Sequence, residues 1–343
     1  MLDGVYHDTG RKHWAFQDVI RNGAKSKYAN WFTIYSFPVA SIDKPNYKCW
    51  WNFGSLPSLN TDNPDVRKFL FDFTRYWMKL GIDGLRLDCA NETGDEFWTE
   101  FRDSVRKINP DAYILGEIWG DGSRWLKGDM FDAVMNYRFR DACLDFFAYD
   151  KISSHQFAEK YFTTLASYLP NVNFASFNLL GSHDTPRFLT LCKNDSRKLK
   201  LATFFQLTAI GAPSIYYGDE IGLTGDKDPD CRKCFLWDTL GQNRELLQYI
   251  KKLISIRKKY PVISQGNIYK FDTPTDDCII LYKKYRGQNA IILINRDDSE
   301  ILYKIDEPVK YFEDAMTGQK ISLEKSDGIY NIPANIGRIL IFL

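Results

Sequence analysis

Helix-like and strand-like segments alternate between residues 64 and 259, and this alternation limits the fold more than any other feature of the sequence. Asn63-Pro64-Asp65 predicts the start of a helix, and apolar residues then recur at intervals of three and four as far as Gly81. Residues 84–88 predict a short buried strand, after which the same order repeats. Such a rhythm is typical of parallel strands joined by helical crossovers.

The predicted elements follow one another with short loops between them. The first helix is expected to bury a stripe made of Val66, Phe69, Leu70, Phe73, Trp77 and Leu80. Helices are expected at 64–80, 96–108, 137–147, 155–168, 197–210 and 242–259, and strands at 84–88, 112–117, 131–135, 174–180 and 213–217.

The pattern changes after Tyr260-Pro261, where short strands separated by polar turns follow one another. They are expected at 278–285, 290–295, 301–305 and 338–343. We therefore predict an α/β barrel of the TIM type at residues 1–261 and a small antiparallel β-sandwich domain at residues 262–343.

Charge and composition exclude several classes of protein. The formal charge is +1, so no long-range field would hold the chain on nucleic acid or on anionic lipid. The most apolar run, 201–217, is interrupted by Gly211 and Pro213 and is shorter than the ~20 residues that a bilayer requires. The first residues do not show a charged segment followed by an apolar one, so we expect no standard secretory signal. We predict a cytoplasmic protein without nucleic-acid or membrane partners.

The seven cysteines are scattered along the chain, as expected of reduced thiols in a cytosolic protein. Cys231-Arg-Lys-Cys234 has the spacing of half a zinc site but no second pair follows, so a chance spacing within a loop is the favoured interpretation.

Acidic residues follow three of the predicted strands. Asp88 ends the strand at 84–88, Glu117 ends the strand at 112–117, and Asp184 follows the strand at 174–180. In a TIM barrel the residues at the carboxyl ends of strands form the active site. Cleaving a glycosidic bond with retention requires a carboxylate nucleophile and a carboxylic acid roughly 5 Å apart, which two adjacent strand ends can supply. Arg86, two residues before Asp88, is expected to point to the same side and keep it ionised.

The residues around these acids resemble the conserved regions of the α-amylase family. The resemblance lies in Gly84-Leu-Arg-Leu-Asp88, Gly116-Glu117-Ile-Trp119 and His183-Asp184. Further segments resemble the cyclomaltodextrinase, neopullulanase and maltogenic amylase branch of the family. These are Leu56-Pro-Ser-Leu-Asn60, Ala90-Asn-Glu92, Val134-Met-Asn-Tyr137, the segment from Tyr216 to Gly222 and the segment from Asp228 to Cys234.

The resemblance implies a role for each residue. Asp88 would be the nucleophile, Glu117 the acid and base, and Asp184 a stabiliser of the transition state. The sugar would be bound by Arg86, His183, Asn91, Glu92, Trp119 and Arg187. Expected substrates are short α-1,4-glucans, cyclodextrins or pullulan, with hydrolysis and transfer both left open. No organic cofactor is expected.

Two departures from the family pattern stand out. The first family motif reads Asp-x-x-x-Asn-His, whereas this chain has Asp3-Gly-Val-Tyr-His7-Asp8, so neither a calcium site nor a sugar contact is carried over to His7 or Asp8. The chain also begins within what resembles the third barrel strand. We therefore expect an N-terminally incomplete barrel and a homo-oligomer, in which a neighbouring subunit replaces the missing wall. The alternatives are a catalytically impaired α-glucan-binding homologue and a fragment of a longer amylase.

Overall fold

The computed structural model describes residues 1–309, 311–324 and 326–343. Packing divides the chain into two compact units, Met1–Met135 and Asn136–Leu343, which are described separately below. Within the described residues, no helix combines the length and the apolar character needed to cross a bilayer.

The first unit contains three helices and four strands. The helices are α1 (Trp14–Asn22), α2 (Pro64–Lys79) and α3 (Asp95–Arg106). The strands are β1 (Leu2–Gly4), β2 (Gly84–Leu87), β3 (Tyr113–Gly116) and β4 (Ala133–Val134). They form one parallel sheet in the order β1-β2-β3-β4, as the alternation of helix and strand predicted.

Helix α2 begins where the sequence predicts. The Asn63 side chain accepts hydrogen bonds from the backbone N–H groups of Asp65 and Val66, and Pro64 occupies the first helical position, where its missing N–H costs nothing. The predicted buried stripe is only partly correct. Val66 and Leu70 are buried, but Phe73 and Leu80 are exposed. The helix instead buries Phe71, Thr74 and Met78, a stripe rotated from the one predicted.

The second unit begins with helices and one short parallel pair of strands. Its helices are α4 (Tyr137–Cys143), continued by a π-helical turn at Leu144–Ala148, α5 (Ser154–Ala166), α6 (Pro170–Ala175), α7 (Phe188–Leu191), α8 (Ser196–Thr208), α9 (Arg244–Lys259) and α10 (Pro261–Gln265). Strands β5 (Phe177–Leu179) and β6 (Ala212–Ser214) pair in parallel. The strand predicted at 174–180 is therefore too long, because its first two residues belong to α6, which Pro170 starts.

An antiparallel sheet follows, as predicted from the change of pattern after residue 261. Its strands are β7 (Asn267–Asp272), β8 (Cys278–Tyr285), β9 (Gln288–Asn295), β11 (Tyr311–Asp314), β12 (Lys320–Ser322) and β14 (Ile336–Phe342). A separate antiparallel pair consists of β10 (Ile301–Lys304) and β13 (Ile329–Ile332). The sequence did not predict β7, β11, β12 or β13, which are short or partly exposed.

The sheet shares a core with the helices before it. Ile279, Leu281 and Ile292 lie in one buried cluster with Phe205 of α8 and Leu253 of α9. Residue 262 thus marks a change from parallel to antiparallel pairing and not a gap in packing. The domain boundary proposed there stays a prediction.

Candidate active site

The carboxyl ends of β1, β2 and β3 bring charged residues together in the first unit. Asp3 on β1 is the register partner of Arg86 on β2, and Arg86 is in turn the partner of Leu115 on β3. The backbone N–H of Asp88 donates to Gly4 O at 3.0 Å, and that of Glu117 donates to Leu87 O at 2.9 Å. Parallel pairing therefore fixes where both acidic residues leave the sheet.

Arg86 connects three carboxylates. Its Nη1 binds Asp3 Oδ1 at 2.8 Å and also ion-pairs with Asp88 Oδ1, while its Nη2 lies 2.9 Å from Glu117 Oε2. The expectation that Arg86 and Asp88 lie on the same side of the strand is confirmed. Since both carboxylates contact one planar guanidinium, the Asp88 and Glu117 side chains lie close together.

These contacts control the ionisation of Asp88. Burial alone would raise its pKa, but the hydrogen bond from His7 and the charge and hydrogen bond of Arg86 lower the pKa to about 2. Asp88 is therefore a carboxylate at neutral pH, which is the state that a nucleophile requires.

Glu117 is almost completely buried, with 3% of its surface exposed. Cys89 has a left-handed backbone conformation (φ 41°), and its N–H donates to Glu117 Oε2 at 2.9 Å. At Gly116 an added Cβ would lie 2.5 Å from the Phe131 ring, so a side chain there would displace either Phe131 or the strand that positions Glu117. The buried Glu117 carboxyl group thus has one ion pair, with Arg86, and one hydrogen bond, from the Cys89 N–H.

His7 and Asp8 extend this charged group. His7 Nε2 lies 3.2 Å from Asp88 Oδ2, and His7 Nδ1 lies 3.2 Å from Asp8 Oδ2. Burial raises the pKa of Asp8, the charge of His7 opposes that rise, and Asp88 adds to it. The two residues that depart from the family motif thus form a series of contacts, from Asp8 to His7 and from His7 to Asp88, the proposed nucleophile.

An aromatic surface lies next to His7. The Trp50 and Trp51 rings are stacked with centroids 5.0 Å apart, Phe53 stacks on Trp50, and the His7 ring lies 6.1 Å from the Trp50 ring. Trp51 is exposed and has a left-handed backbone (φ 45°). This aromatic cluster is therefore partly a surface feature on which a flat sugar face could stack.

The third predicted acid lies in the second unit, in the loop after β5. Asp184 Oδ2 lies 3.1 Å from His183 Nε2, and Asp184 Oδ1 lies 3.1 Å from Arg232 Nη2. Arg232 Nε and the Cys231 thiol both donate to the His183 carbonyl, at 3.0 and 3.1 Å. The His183 and Asp184 side chains are thus in contact, and residues 231 and 232 hold the loop that carries them. In the Cys231-Arg-Lys-Cys234 motif, the Cys231 thiol therefore has a structural role, since it donates to the His183 carbonyl.

Arg187, three residues after Asp184, is fully buried. Its Nη1 binds Asp219 Oδ1 at 2.9 Å and donates to the Tyr217 carbonyl, and its guanidinium lies over the Tyr216 and Tyr217 rings. Burial raises the pKa of Asp219, and the charge of Arg187 opposes this rise. These contacts support the fold, and the substrate-binding role of Arg187 stays a prediction.

The remaining predicted subsite residues are exposed. Asn91 and Glu92 lie in the short helix at Ala90–Glu92 that follows Asp88, and half of the Trp119 surface is exposed. They are accessible to a ligand, and their roles also stay predictions. The sequence reasoning missed Cys89 and Arg232. The Asp228–Cys234 resemblance contained a signal for Arg232, but nothing in the sequence placed Cys89 beside His7.

Parallel strands with two neighbouring carboxyl groups at their carboxyl ends provide what an α/β glycoside-cleaving domain requires. Residues 1–239 match the model of the α-amylase catalytic domain, and the chain belongs to the α-amylase family. This confirms the fold class, a TIM-type barrel domain followed by a small antiparallel β domain.

Similar proteins place the chain near one branch of that family. It is 45% identical over 97% of its length to a cyclomaltodextrinase of Geobacillus thermopakistaniensis (strain MAS1), covering 57% of that protein. It is 40% identical over 94% of its length to neopullulanase 2 of Thermoactinomyces vulgaris, covering 56% of it. A solved structure of a cyclomaltodextrinase aligns with 99% of this chain, and the alignment covers 60% of the cyclomaltodextrinase chain. The identity is 37% and the TM-score is 0.93. The chain spans little more than half the length of these curated relatives.

Proposed function

We propose that the chain forms the catalytic part of a retaining glycoside hydrolase that cleaves α-1,4-glucosidic bonds. The observation that supports this most is the shared contact of Asp88 and Glu117 with Arg86, because it holds two carboxyl groups close enough to act on one sugar ring.

The proposed mechanism has two steps. In the first, Asp88 attacks the anomeric carbon while Glu117 gives its proton to the departing glycosidic oxygen, which leaves a glucosyl ester on Asp88. In the second, Glu117 takes a proton from water, or from a sugar hydroxyl in a transfer reaction, and the new oxygen replaces Asp88. Asp184 and His183 would hold hydroxyl groups of the reacting sugar.

The proposed substrates are short maltooligosaccharides, cyclodextrins and pullulan. Relatives named cyclomaltodextrinase and neopullulanase support this choice, and so does the aromatic surface beside His7. The test is incubation of the chain with maltotriose, cyclodextrin and pullulan beside an Asp88→Asn variant. Release of reducing ends by the chain and not by the variant supports the proposal. Equal release by both contradicts it.

A second candidate is a glucan-binding protein without turnover. It is favoured by Asp8, a partly buried acid at the position where the family motif has a histidine that contacts sugar. Binding of maltotriose in calorimetry, with no products after long incubation, would select this candidate.

Oligomeric state and localisation complete the proposal. We keep the prediction of a homo-oligomer, which light scattering at micromolar concentration tests, since a purely monomeric chain would contradict it. We also keep the prediction of a cytoplasmic protein, which the seven free cysteines support. Cell fractionation tests it, and recovery of the protein in the medium would contradict it.

A further inference from the structure

We propose that His7, Asp88 and Cys89 form a binding site for a divalent cation that prefers nitrogen and sulfur ligands, with Zn²⁺ as the best match. Each residue offers one ligand atom, and these atoms all lie within 4.8 Å of one another. His7 Nε2 and Asp88 Oδ2 are 3.2 Å apart. Ligands bound to one tetrahedral zinc ion lie about 3.3–3.8 Å from each other, so small side-chain movements complete the site.

The surrounding residues orient these ligands. Asp8 Oδ2 lies 3.2 Å from His7 Nδ1, so when a cation displaces the Nε2 proton that binds Asp88, the ring can keep a proton on Nδ1 toward Asp8 and offer its Nε2 lone pair to the metal. A carboxylate behind a histidine in this way is the usual outer support of a zinc ligand. Arg86 binds Asp88 through Oδ1, which leaves Oδ2 for the cation.

The local charge also favours a cation. Four carboxyl groups, on Asp3, Asp8, Asp88 and Glu117, are linked by direct contacts to Arg86 or His7. Arg86 provides the fixed positive charge of this cluster, so its carboxylates are only partly neutralised. A divalent cation at Asp88 Oδ2 compensates part of the excess negative charge.

The ligand types select the metal. Imidazole and thiolate suit Zn²⁺, whereas Ca²⁺ and Mg²⁺ require oxygen ligands. On binding, the Cys89 S–H bond breaks, an S–Zn bond forms, and the proton leaves to solvent. Three protein ligands leave a fourth position for water.

Occupation of the site would remove Asp88 from the reaction. A cation on Oδ2 withdraws the electron pair that attacks the sugar, so Zn²⁺ acts as a reversible inhibitor. This consequence rests on the proposed function, but the binding itself does not.

The test is calorimetric titration of the chelator-treated chain with ZnCl₂. We expect one Zn²⁺ per chain, and Cys89→Ser should weaken binding by roughly tenfold or more. Cys234→Ser is the matched control, because it removes an exposed thiol outside the proposed site. This variant should bind Zn²⁺ as tightly as the parent chain does. Asp8→Asn should weaken binding by roughly 10- to 100-fold through loss of the outer support.

Co²⁺ provides a second measurement. Its thiolate charge-transfer absorption should appear with the parent chain and with Cys234→Ser, and disappear in Cys89→Ser. Circular dichroism shows whether the variant is folded, and His7→Asn serves as a second ligand variant. The inference is overturned if the parent chain does not bind Zn²⁺, or if Cys89→Ser and His7→Asn bind it as tightly as the parent chain. Loss of binding only in Cys234→Ser also overturns it.

Inhibition separates this inference from the proposed function. Zn²⁺ should inhibit glucan cleavage by the parent chain at concentrations that leave Cys89→Ser active. Turnover of glucans without Zn²⁺ binding overturns the metal site and leaves the enzyme proposal intact. Binding of Zn²⁺ at Cys89 by a chain that never cleaves glucans supports the site and contradicts only the enzyme proposal.

Discussion

Nη2 of Arg86 lies 2.9 Å from Oε2 of Glu117, and the same guanidinium ion-pairs with Asp88. One buried cation therefore sets the positions of both proposed reacting groups. A guanidinium suits this task because its planar fork can hold two carboxylates at once, whereas an ammonium group acts as a point charge.

Replacing Arg86 with Met should destabilise the chain and abolish activity. The change leaves the Asp88 carboxylate and the buried Glu117 carboxyl group without their cation, a loss on the order of 3 kcal/mol. Urea unfolding of the parent chain and the Arg86→Met variant measures this loss in the free energy of unfolding. Arg86→Lys is the control that keeps the charge, and it should recover part of the stability but little activity. A Met variant as stable and as active as the parent would show that the ion pairs are dispensable.

Asp88 should make stability sensitive to acid. Its pKa in the folded chain is lowered to about 2, below the ~3.9 of an unfolded chain, so its contribution is complete above about pH 4 and is lost as pH falls toward 2. Asp88→Asn should therefore lose less stability between pH 4 and pH 2 than the parent chain. Parallel stability curves for the two proteins would contradict this assignment.

His7→Asn should shift the acid limb of kcat/KM to higher pH. Asp8 contacts the other nitrogen of the His7 ring. The hydrogen bond from His7 to Asp88 is, together with Arg86, a cause of the low pKa of Asp88. Losing it makes Asp88 easier to protonate. His155→Asn is the matched control, because His155 is exposed and pairs with Glu159. An identical acid limb in parent and His7→Asn would exclude this role.

Arg187→Met should reduce stability more than substrate affinity. The variant leaves Asp219 buried without its cation, at a cost of about 3 kcal/mol. Arg197→Met, which removes an exposed arginine paired with Asp195, should change stability by less than ~1 kcal/mol. If Arg187→Met keeps its unfolding midpoint but raises KM severalfold, the role predicted from the family resemblance is the correct one.

Trp51→Ala should weaken binding of long glucans. Stacking on an exposed aromatic ring contributes about 1 kcal/mol, so KM for pullulan or cyclodextrin should rise about fivefold while kcat stays constant. Trp237→Ala removes another exposed tryptophan, located in the second unit, and should leave KM unchanged. Equal effects of both variants would exclude a specific surface at Trp51.

The sequence predicted most of the fold because its local and periodic signals agree with the packing. Asn63-Pro64 starts α2 as expected, and β8 has the predicted bounds. The buried stripe of α2 was misplaced because periodicity shows that a helix has an apolar face but not which apolar residues other elements cover. Strands such as β12 and β13 were missed because partly exposed residues give no alternation to detect.

The candidate site was predictable where strand ends decide the geometry. Asp88, Glu117 and Arg86 converge because parallel register brings them together. His7 and Cys89 were not predictable as neighbours, because their proximity depends on how the loops after β1 and β2 turn, including the left-handed backbone at Cys89.

The most direct test of the account is mass-spectrometric trapping of the covalent intermediate. A Glu117→Gln variant incubated with α-maltosyl fluoride should form the ester, since fluoride leaves without a proton, but should hydrolyse it slowly for lack of a base. Peptide mapping should then find one added maltosyl group on Asp88. A maltosyl group on another residue, or rapid turnover of the fluoride with no adduct at any time, would contradict the assignment of Asp88 as nucleophile and Glu117 as acid and base.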